Sequence, residues 1–93
     1  MQKVYKYSFK VDDIISLPIP IDARILTVNM QGSNPCIWAL VDPNDVVYKN
    51  RKFLLYGTGH AIERNDLSYI GTFQMFNGDL IFHLFEIPYN AYE

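Results

Sequence analysis

The chain has 93 residues, a formal net charge of −2 and a pI of about 5.5. This length predicts one domain, residues 1–93, with one modest core. The acidic balance argues against duplex nucleic acid or an anionic membrane as the main partner, and an apolar content of 49% excludes a disordered protein.

The chain is expected to work in a reducing cytoplasm. Its one cysteine, Cys36, cannot form an intramolecular disulfide. The N-terminal MQKVYKYSF lacks the apolar segment of a signal peptide. No apolar run approaches the roughly 20 residues that cross a bilayer, so we expect no membrane association.

Three short strands are predicted in the first third of the chain. Val4–Val11 alternates apolar and polar residues, with lysines on the solvent side. Ile14–Ile19 contains one proline and is followed by another, and because proline cannot donate to a β-ladder this strand is expected at a sheet edge. Arg24–Met30 forms the third strand, with Leu26, Val28 and Met30 expected to point inward.

The middle of the chain predicts a central strand and its neighbours. Cys36–Val41 is apolar at every position, which is typical of a central strand covered on both sides. Trp38 is expected to be the largest core residue. Val46–Asn50 is a short edge strand or loop, and Arg51–Tyr56 is the next strand. The tail Pro88–Glu93 is expected to be frayed.

Asn77-Gly78 predicts a type I′ β-hairpin, because this dipeptide accepts positive φ at both central positions. The flanking strands are Tyr69–Phe76 and Asp79–Glu86. A two-residue turn sets the register and places Thr72 opposite His83.

Alternation gives this hairpin an apolar face and a half-polar face. The apolar face is a core candidate and comprises Phe73, Met75, Leu80, Phe82 and Leu84. The other face is expected to be wet or to contact a partner, and it comprises Thr72, Gln74, Ile81 and His83, with Ile70 and Phe85 at its far end.

Together these segments predict an all-β fold. About seven short strands recur at intervals of roughly ten residues, without a helical period longer than one turn. This regular spacing of short strands is typical of a small single-domain antiparallel β-sandwich or barrel.

A loop bounded by two glycines follows the predicted strand Arg51–Tyr56. Glycine lets successive N–H groups turn toward a phosphate or carboxylate, and a threonine adds a hydroxyl. We therefore predict an anion-binding loop, with charge supplied by Arg51, Lys52 or Arg64. A tight turn between two strands is the competing interpretation. The loop comprises Gly57, Thr58, Gly59 and His60.

The two histidines are candidates for ligand binding or catalysis. His83 is expected either to bond Thr72 or a main-chain carbonyl, or to contact a ligand near His60. Both imidazoles together would suit acid–base catalysis in a small phosphodiesterase or lyase. Cys36 is expected in the core, so the chain falls short of the three or four ligands of a zinc site. No metal or other cofactor is predicted.

The chain contains seven tyrosines and six phenylalanines. Aromatic side chains with a polar tip suit a base-stacking or protein-contact surface, and core packing is the competing explanation. An aromatic excess with exposed strand edges favours a homo-oligomer. The surface candidates are Tyr5, Tyr7, Trp38, Tyr56 and Tyr69.

Several segments carry a resemblance to a known family: KVYKYxF at the N-terminus, PCIWALVDP at 35–43, RKFLLYGTGHxI at 51–62, YIGTFQ at 69–74 and LIFHLFE at 80–86. With them the chain resembles, over nearly its whole length, a family of small uncharacterised proteins of tailed bacteriophages and prophages. The resemblance implies a phage origin and expression in the cytoplasm of an infected bacterium. It implies no particular activity.

By analogy with other small phage proteins, we expect a non-enzymatic accessory protein that acts against host defence. In one version, a homo-oligomer sequesters a nucleotide-type ligand, with the phosphate on the glycine loop and the base on an aromatic ring. In the other, the protein masks a host or phage protein through an edge strand or the half-polar hairpin face. The histidine-dependent enzyme and a structural phage component are the alternatives. The predicted binding residues are Arg51, Gly57, Thr58, Gly59, His60, Thr72, Gln74 and His83.

Overall fold

A computed structural model describes residues 1–89 of the chain. Within that range seven strands form two antiparallel sheets, and a short turn, Phe76–Gly78, lies between the last two strands. The strands are β1 (Lys3–Ser8), β2 (Ile14–Pro20), β3 (Arg24–Gln31), β4 (Asn34–Val41), β5 (Tyr48–Gly57), β6 (Ser68–Met75) and β7 (Leu80–Glu86).

The two sheets pack face to face. One has the strand order β1-β4-β3 and the other has the order β2-β5-β7-β6. Neighbouring strands are antiparallel throughout. The all-β prediction is confirmed, and the separation into two sheets makes the fold a sandwich rather than a closed barrel.

Strands β3 and β6 close one side of the sandwich. They belong to different sheets but lie against each other. A Cβ added to Gly71 of β6 would lie 3.0 Å from Cγ1 of Val28 of β3. A glycine therefore relieves crowding where the two strands lie against each other.

Each strand sends one row of side chains into the space between the sheets. Four large residues there have no exposed surface: Ile19, Ile37, Phe53 and Leu84. Phe73 of β6 packs edge-on against Phe9, with 6.1 Å between ring centroids. Burial of each such side chain stabilises the fold by about 1.5–3 kcal/mol.

Two predictions about the first sheet are wrong. Strand β4 is central, as predicted, but Trp38 lies half-buried on its outer side, because alternation gives the inward positions to Ile37 and Ala39. In β3 a bulge shifts the register after Ile25. Ile25 therefore packs against the core, and Leu26 is 41% exposed.

The hairpin turn has the predicted chemistry with one addition. The N–H of Asp79 donates to the carbonyl of Phe76 at 3.1 Å, across Asn77 and Gly78, which both have positive φ. This is the pattern of a type I′ turn. Phe76 also has positive φ, 53°, so β6 ends one residue earlier than predicted and β7 begins one residue later.

The predicted hairpin register is confirmed, with Thr72 opposite His83. The predicted apolar face is buried at Phe73 and Leu84. Leu80 is exposed, contrary to prediction, because it begins β7 beside the turn.

The described residues end at Tyr89, so positions 90–93 of the predicted frayed tail lie outside them. No helix within residues 1–89 is long and apolar enough to cross a membrane.

Candidate functional site

Four polar side chains form one hydrogen-bonded chain on the outer face of the β2-β5-β7-β6 sheet. Thr72 Oγ1 lies 2.6 Å from Tyr69 Oη and 2.8 Å from His83 Nδ1. His83 Nε2 lies 2.7 Å from Thr58 Oγ1. This chain, here called the His83 network, links β6, β7 and the turn after β5.

The His83 network satisfies the imidazole in each of its protonation states. A hydroxyl both donates and accepts, so Thr58 and Thr72 can each donate to a bare ring nitrogen or accept from a protonated one. Both hydroxyls accept when the imidazolium donates from its two nitrogens. The network therefore holds the orientation of the ring whichever proton it carries.

An aromatic row lies beside the network on the same outer face. The ring of Phe85 lies between Tyr56 and Tyr69, at centroid distances of 5.8 and 5.4 Å. In the sheet, Phe85 of β7 pairs with Leu54 of β5 and with Tyr69 of β6. Tyr69 is 59% exposed. The aromatic row of Tyr56, Phe85 and Tyr69 therefore offers apolar surface beside the polar network.

A β-bulge in β6 turns Tyr69 onto this face. Strict alternation would send Tyr69 into the core together with Gly71 and Phe73. The register shifts between Tyr69 and Gly71, so Tyr69 pairs with Phe85 while Ile70 packs against the core. The prediction that Ile70 lies on the half-polar face is therefore wrong.

The glycine loop is a tight turn. The N–H of His60 donates to the carbonyl of Gly57 at 3.1 Å, and Gly59 has a φ of 86°, which a type II turn requires at its third residue. A concavity of about 290 Å³ lies beside the turn and is also lined by Asp79. A carboxylate there disfavours a second anion. Thr58 is the loop residue whose side chain joins the His83 network.

The two histidines lie on opposite faces of the sheet. Gly57 pairs with Phe82, whose side chain packs toward the core. A Cβ on Gly57 would lie 3.0 Å from the His60 ring, so that ring covers the inner side of Gly57. His83 follows Phe82 and faces outward. This separation does not favour an acid–base pair acting on one substrate.

Arg51 lies far from the glycine loop. Its Nε and Nη2 donate to the two carboxylate oxygens of Glu86 at 2.7 and 2.9 Å, and its Nη1 donates to the carbonyl of Ala23 at 2.6 Å. Gly57 lies six positions after Arg51 along β5, which is about 20 Å at the usual rise of a strand. Arg51 therefore ties β5 to β7 and to the turn before β3.

Of the remaining predicted residues, Gln74 lies on the same face as the His83 network, whereas Arg64 forms an ion pair with Asp66. Gln74 is exposed opposite Ile81, on the face that carries the His83 network. Arg64 forms two hydrogen bonds to Asp66, at 2.9 and 2.7 Å. Those bonds hold the pKa of the Asp66 carboxyl below its usual value. The structure thus gathers Thr58, Thr72, Gln74 and His83 on one face and leaves Arg51 and His60 elsewhere.

Cys36 is fully buried, with its Sγ 3.5 Å from Ser8 Oγ. Burial in an apolar strand does not give the exposed thiolate that nucleophilic chemistry needs. Among residues 1–89 no group of three or more His, Cys, Asp or Glu side chains is placed to hold a metal ion.

A family model described as a domain of unknown function, DUF7352, matches residues 1–92 of the chain. The match covers nearly every residue, so the chain belongs to this family. No curated protein and no solved structure matches the chain.

Proposed function

We propose that this DUF7352 member is a non-enzymatic binding protein that masks a protein partner with the outer face of its four-stranded sheet. The proposal is carried by one observation: the aromatic row of Tyr56, Phe85 and Tyr69 lies directly beside the His83 network. An open sheet surface with this composition suits a large, flat partner better than a small molecule that must be enclosed.

The aromatic row supplies the apolar centre of the interface. Tyrosine and phenylalanine are enriched in protein interfaces, and tyrosine is frequent among the residues that dominate binding energy. Each ring of the row contacts another before any partner binds. Binding therefore immobilises few additional side-chain rotamers. Ile14 and Ile81, both exposed, extend the apolar surface on this face.

The His83 network supplies the polar part of the interface. Its hydroxyls and imidazole can donate or accept, so the same side chains can pair with an N–H or a carbonyl of the partner. Exposed Gln74 adds an amide with both capacities. This versatility fits recognition of a partner's main chain and polar side chains at a partly hydrated surface.

A nucleotide ligand is less well supported. Its phosphate would require the glycine loop and Arg51 to act together, but the Arg51 guanidinium is bound to Glu86 and Ala23. The concavity at the loop is also lined by Asp79. We therefore favour the protein partner. The family resemblance places it in the cytoplasm of an infected bacterium, and by analogy with other small phage proteins we assign the chain an accessory role against host defence.

Affinity capture with matched tyrosine variants tests this proposal. The tagged chain is expressed in phage-infected bacteria, and bound proteins are quantified by mass spectrometry. Tyr69→Ser removes an exposed ring of the aromatic row, whereas Tyr48→Ser removes a similarly exposed ring, 55% against 59%, near the far end of β5. The proposal predicts a stoichiometric partner with the wild type and Tyr48→Ser, and at least tenfold less with Tyr69→Ser.

Two outcomes contradict the proposal. One is a partner that binds both variants equally. The other is the absence of a stoichiometric protein together with a thermal shift in the presence of millimolar nucleotides, because a ligand that binds the native state must stabilise it. The second outcome would restore the nucleotide interpretation.

A further inference from the structure

The four sheet edges of this sandwich are not equally protected against a further strand. Strands β3 and β6 are edges, but they lie against each other and each contains a bulge. Bulges and covering elements both discourage edge-to-edge pairing. The other two edges, β1 and β2, lie on the opposite side of the sandwich.

Strand β2 is protected by its prolines. The N–H of Leu55 donates to the carbonyl of Asp13 at 3.1 Å. In the regular antiparallel register that follows, odd-numbered residues of β2 face β5 and even-numbered residues face the free edge. Pro18 and Pro20 therefore occupy edge-facing positions, where a second strand would need an N–H.

Strand β1 has no such protection. The N–H of Phe9 donates to the carbonyl of Pro35 at 3.1 Å, so odd-numbered residues face β4. Val4, Lys6 and Ser8 therefore present N–H and C=O groups to the free edge. The pairing of β1 with β4 is free of bulges, and five of its six residues are exposed.

Of the two lysines of β1, Lys6 has its backbone groups at the free edge, and its side chain is directed away from that edge. Edge lysines commonly block pairing by placing charge beside the strand. Here the Lys6 ammonium donates to the Oε1 of Gln31 on β3, so its side chain lies across β4 on the outer face of the sheet. Among residues 1–89, the free edge of β1 therefore keeps unpaired backbone groups, and the charge of Lys6 is not held over them.

We propose that β1 pairs antiparallel with β1 of a second copy about a two-fold axis at Tyr5. This register sets Val4 against Lys6 of the second copy, and both positions have edge-facing backbone groups. An axis at Lys6 would instead set two lysines opposite each other, which is unfavourable. The pairing joins the two β1-β4-β3 sheets into one continuous sheet.

The side chains around this axis complement each other. Tyr5 faces Tyr5 of the second copy in a non-hydrogen-bonded pair, where Cα atoms are about 4.5 Å apart. Lys3 faces Tyr7 of the second copy, which allows a cation–π contact. A second copy thus satisfies both edges with the same residues, as a two-fold interface requires. The proposed partner-binding face belongs to the other sheet, so this inference does not depend on it.

A pair of proline variants tests the dimer. Lys6→Pro removes an edge-facing N–H of β1, and Ser16→Pro makes the same change at an edge-facing position of β2. Light scattering of the purified chain should give twice the 10.8 kDa monomer mass for the wild type and Ser16→Pro, and the monomer mass for folded Lys6→Pro. A monomeric wild type, or a dimeric Lys6→Pro, overturns the proposal.

Cysteine cross-linking tests the register without relying on a proline variant. Tyr5→Cys should oxidise to a disulfide-linked dimer, because the two Cα atoms fall within disulfide range. Tyr7→Cys should remain largely uncross-linked, since Lys3 of the second copy lies opposite it. The wild type, whose Cys36 is buried, gives the background. Efficient cross-linking of Tyr7→Cys, or none of Tyr5→Cys, contradicts the register.

Discussion

Thr58 Oγ1 and His83 Nε2 lie 2.7 Å apart although the two residues are 25 positions apart along the chain. Two local features bring them together. Strand β7 lies between β5 and β6, so Gly57 at the end of β5 pairs with Phe82 of β7. Thr58 follows Gly57 and His83 follows Phe82, so the two side chains become neighbours. A loop and a hairpin that are separate in sequence therefore share one face of the sheet.

Thr72 joins Tyr69 to the rest of the His83 network, because its hydroxyl contacts both Tyr69 and His83. Thr72→Val keeps the β-branched shape but removes both contacts. Since the site is exposed, we expect a loss of unfolding free energy of only about 0.5–1 kcal/mol. Nitrogen NMR of the ring should show a changed tautomer balance for His83. An unchanged ring spectrum would contradict the network.

Gly71 should be the glycine least tolerant of a methyl group in the sheet. Gly71→Ala would bring a Cβ within 3.0 Å of Val28 Cγ1 at the β3–β6 contact. We expect a loss of about 1–3 kcal/mol in unfolding free energy, the usual cost of overpacking, measured by urea denaturation. Val28→Ala should reduce that loss in the double variant, because it removes the contacting methyl.

Gly57→Ala provides the matched control for this prediction. The added Cβ would meet the ring of His60 at the same 3.0 Å distance. That ring is exposed, so it can move aside. We expect a smaller loss than for Gly71→Ala, and an equal loss would show that distance alone, rather than the rigidity of the neighbour, sets the cost.

Arg51 should stabilise the folded state rather than bind a ligand. Arg51→Met removes the ion pair with Glu86, whose two side chains are only 12% and 16% exposed, and leaves the Ala23 carbonyl without this donor. We expect a loss of about 2–3 kcal/mol in unfolding free energy. Arg64→Met, which removes the exposed pair with Asp66, should change stability little. Equal effects of the two variants would contradict the structural role of Arg51.

Phe76 adopts a backbone conformation that an aromatic residue rarely occupies, with a φ of 53°, and its side chain is 66% exposed. Phe76→Gly should raise the unfolding free energy by about 1 kcal/mol, because glycine adopts positive φ without steric cost. Phe76→Ala keeps the Cβ and should give no such gain. Thermal denaturation of both variants separates relief of strain from loss of the ring.

The sequence predicts the local pairing well where turn chemistry fixes it. Asn77-Gly78 sets the hairpin register, so Thr72 and His83 were correctly placed opposite each other. The prolines of β2 correctly placed that strand at an edge. Such features depend on a few adjacent residues, and a single sequence contains that information.

Bulges and long-range packing were harder to predict. The bulge at Ile70 reverses the orientation of Tyr69, and a periodic pattern contains no information about where alternation slips. Gly71 inside the strand was the available signal, since an isolated strand glycine often marks a bulge or a close approach. The partners of Arg51 are 28 and 35 residues away, so no local pattern identifies them.

Amide chemical-shift mapping tests the central claim most directly. The isotope-labelled chain is titrated with the protein recovered by affinity capture. If the outer face of the four-stranded sheet is the binding surface, the largest shifts will fall at Thr58, Tyr69, Thr72, His83 and Phe85, and Tyr69→Ser will abolish them. Shifts confined to the β1-β4-β3 sheet, or shifts that persist in Tyr69→Ser, would contradict this account.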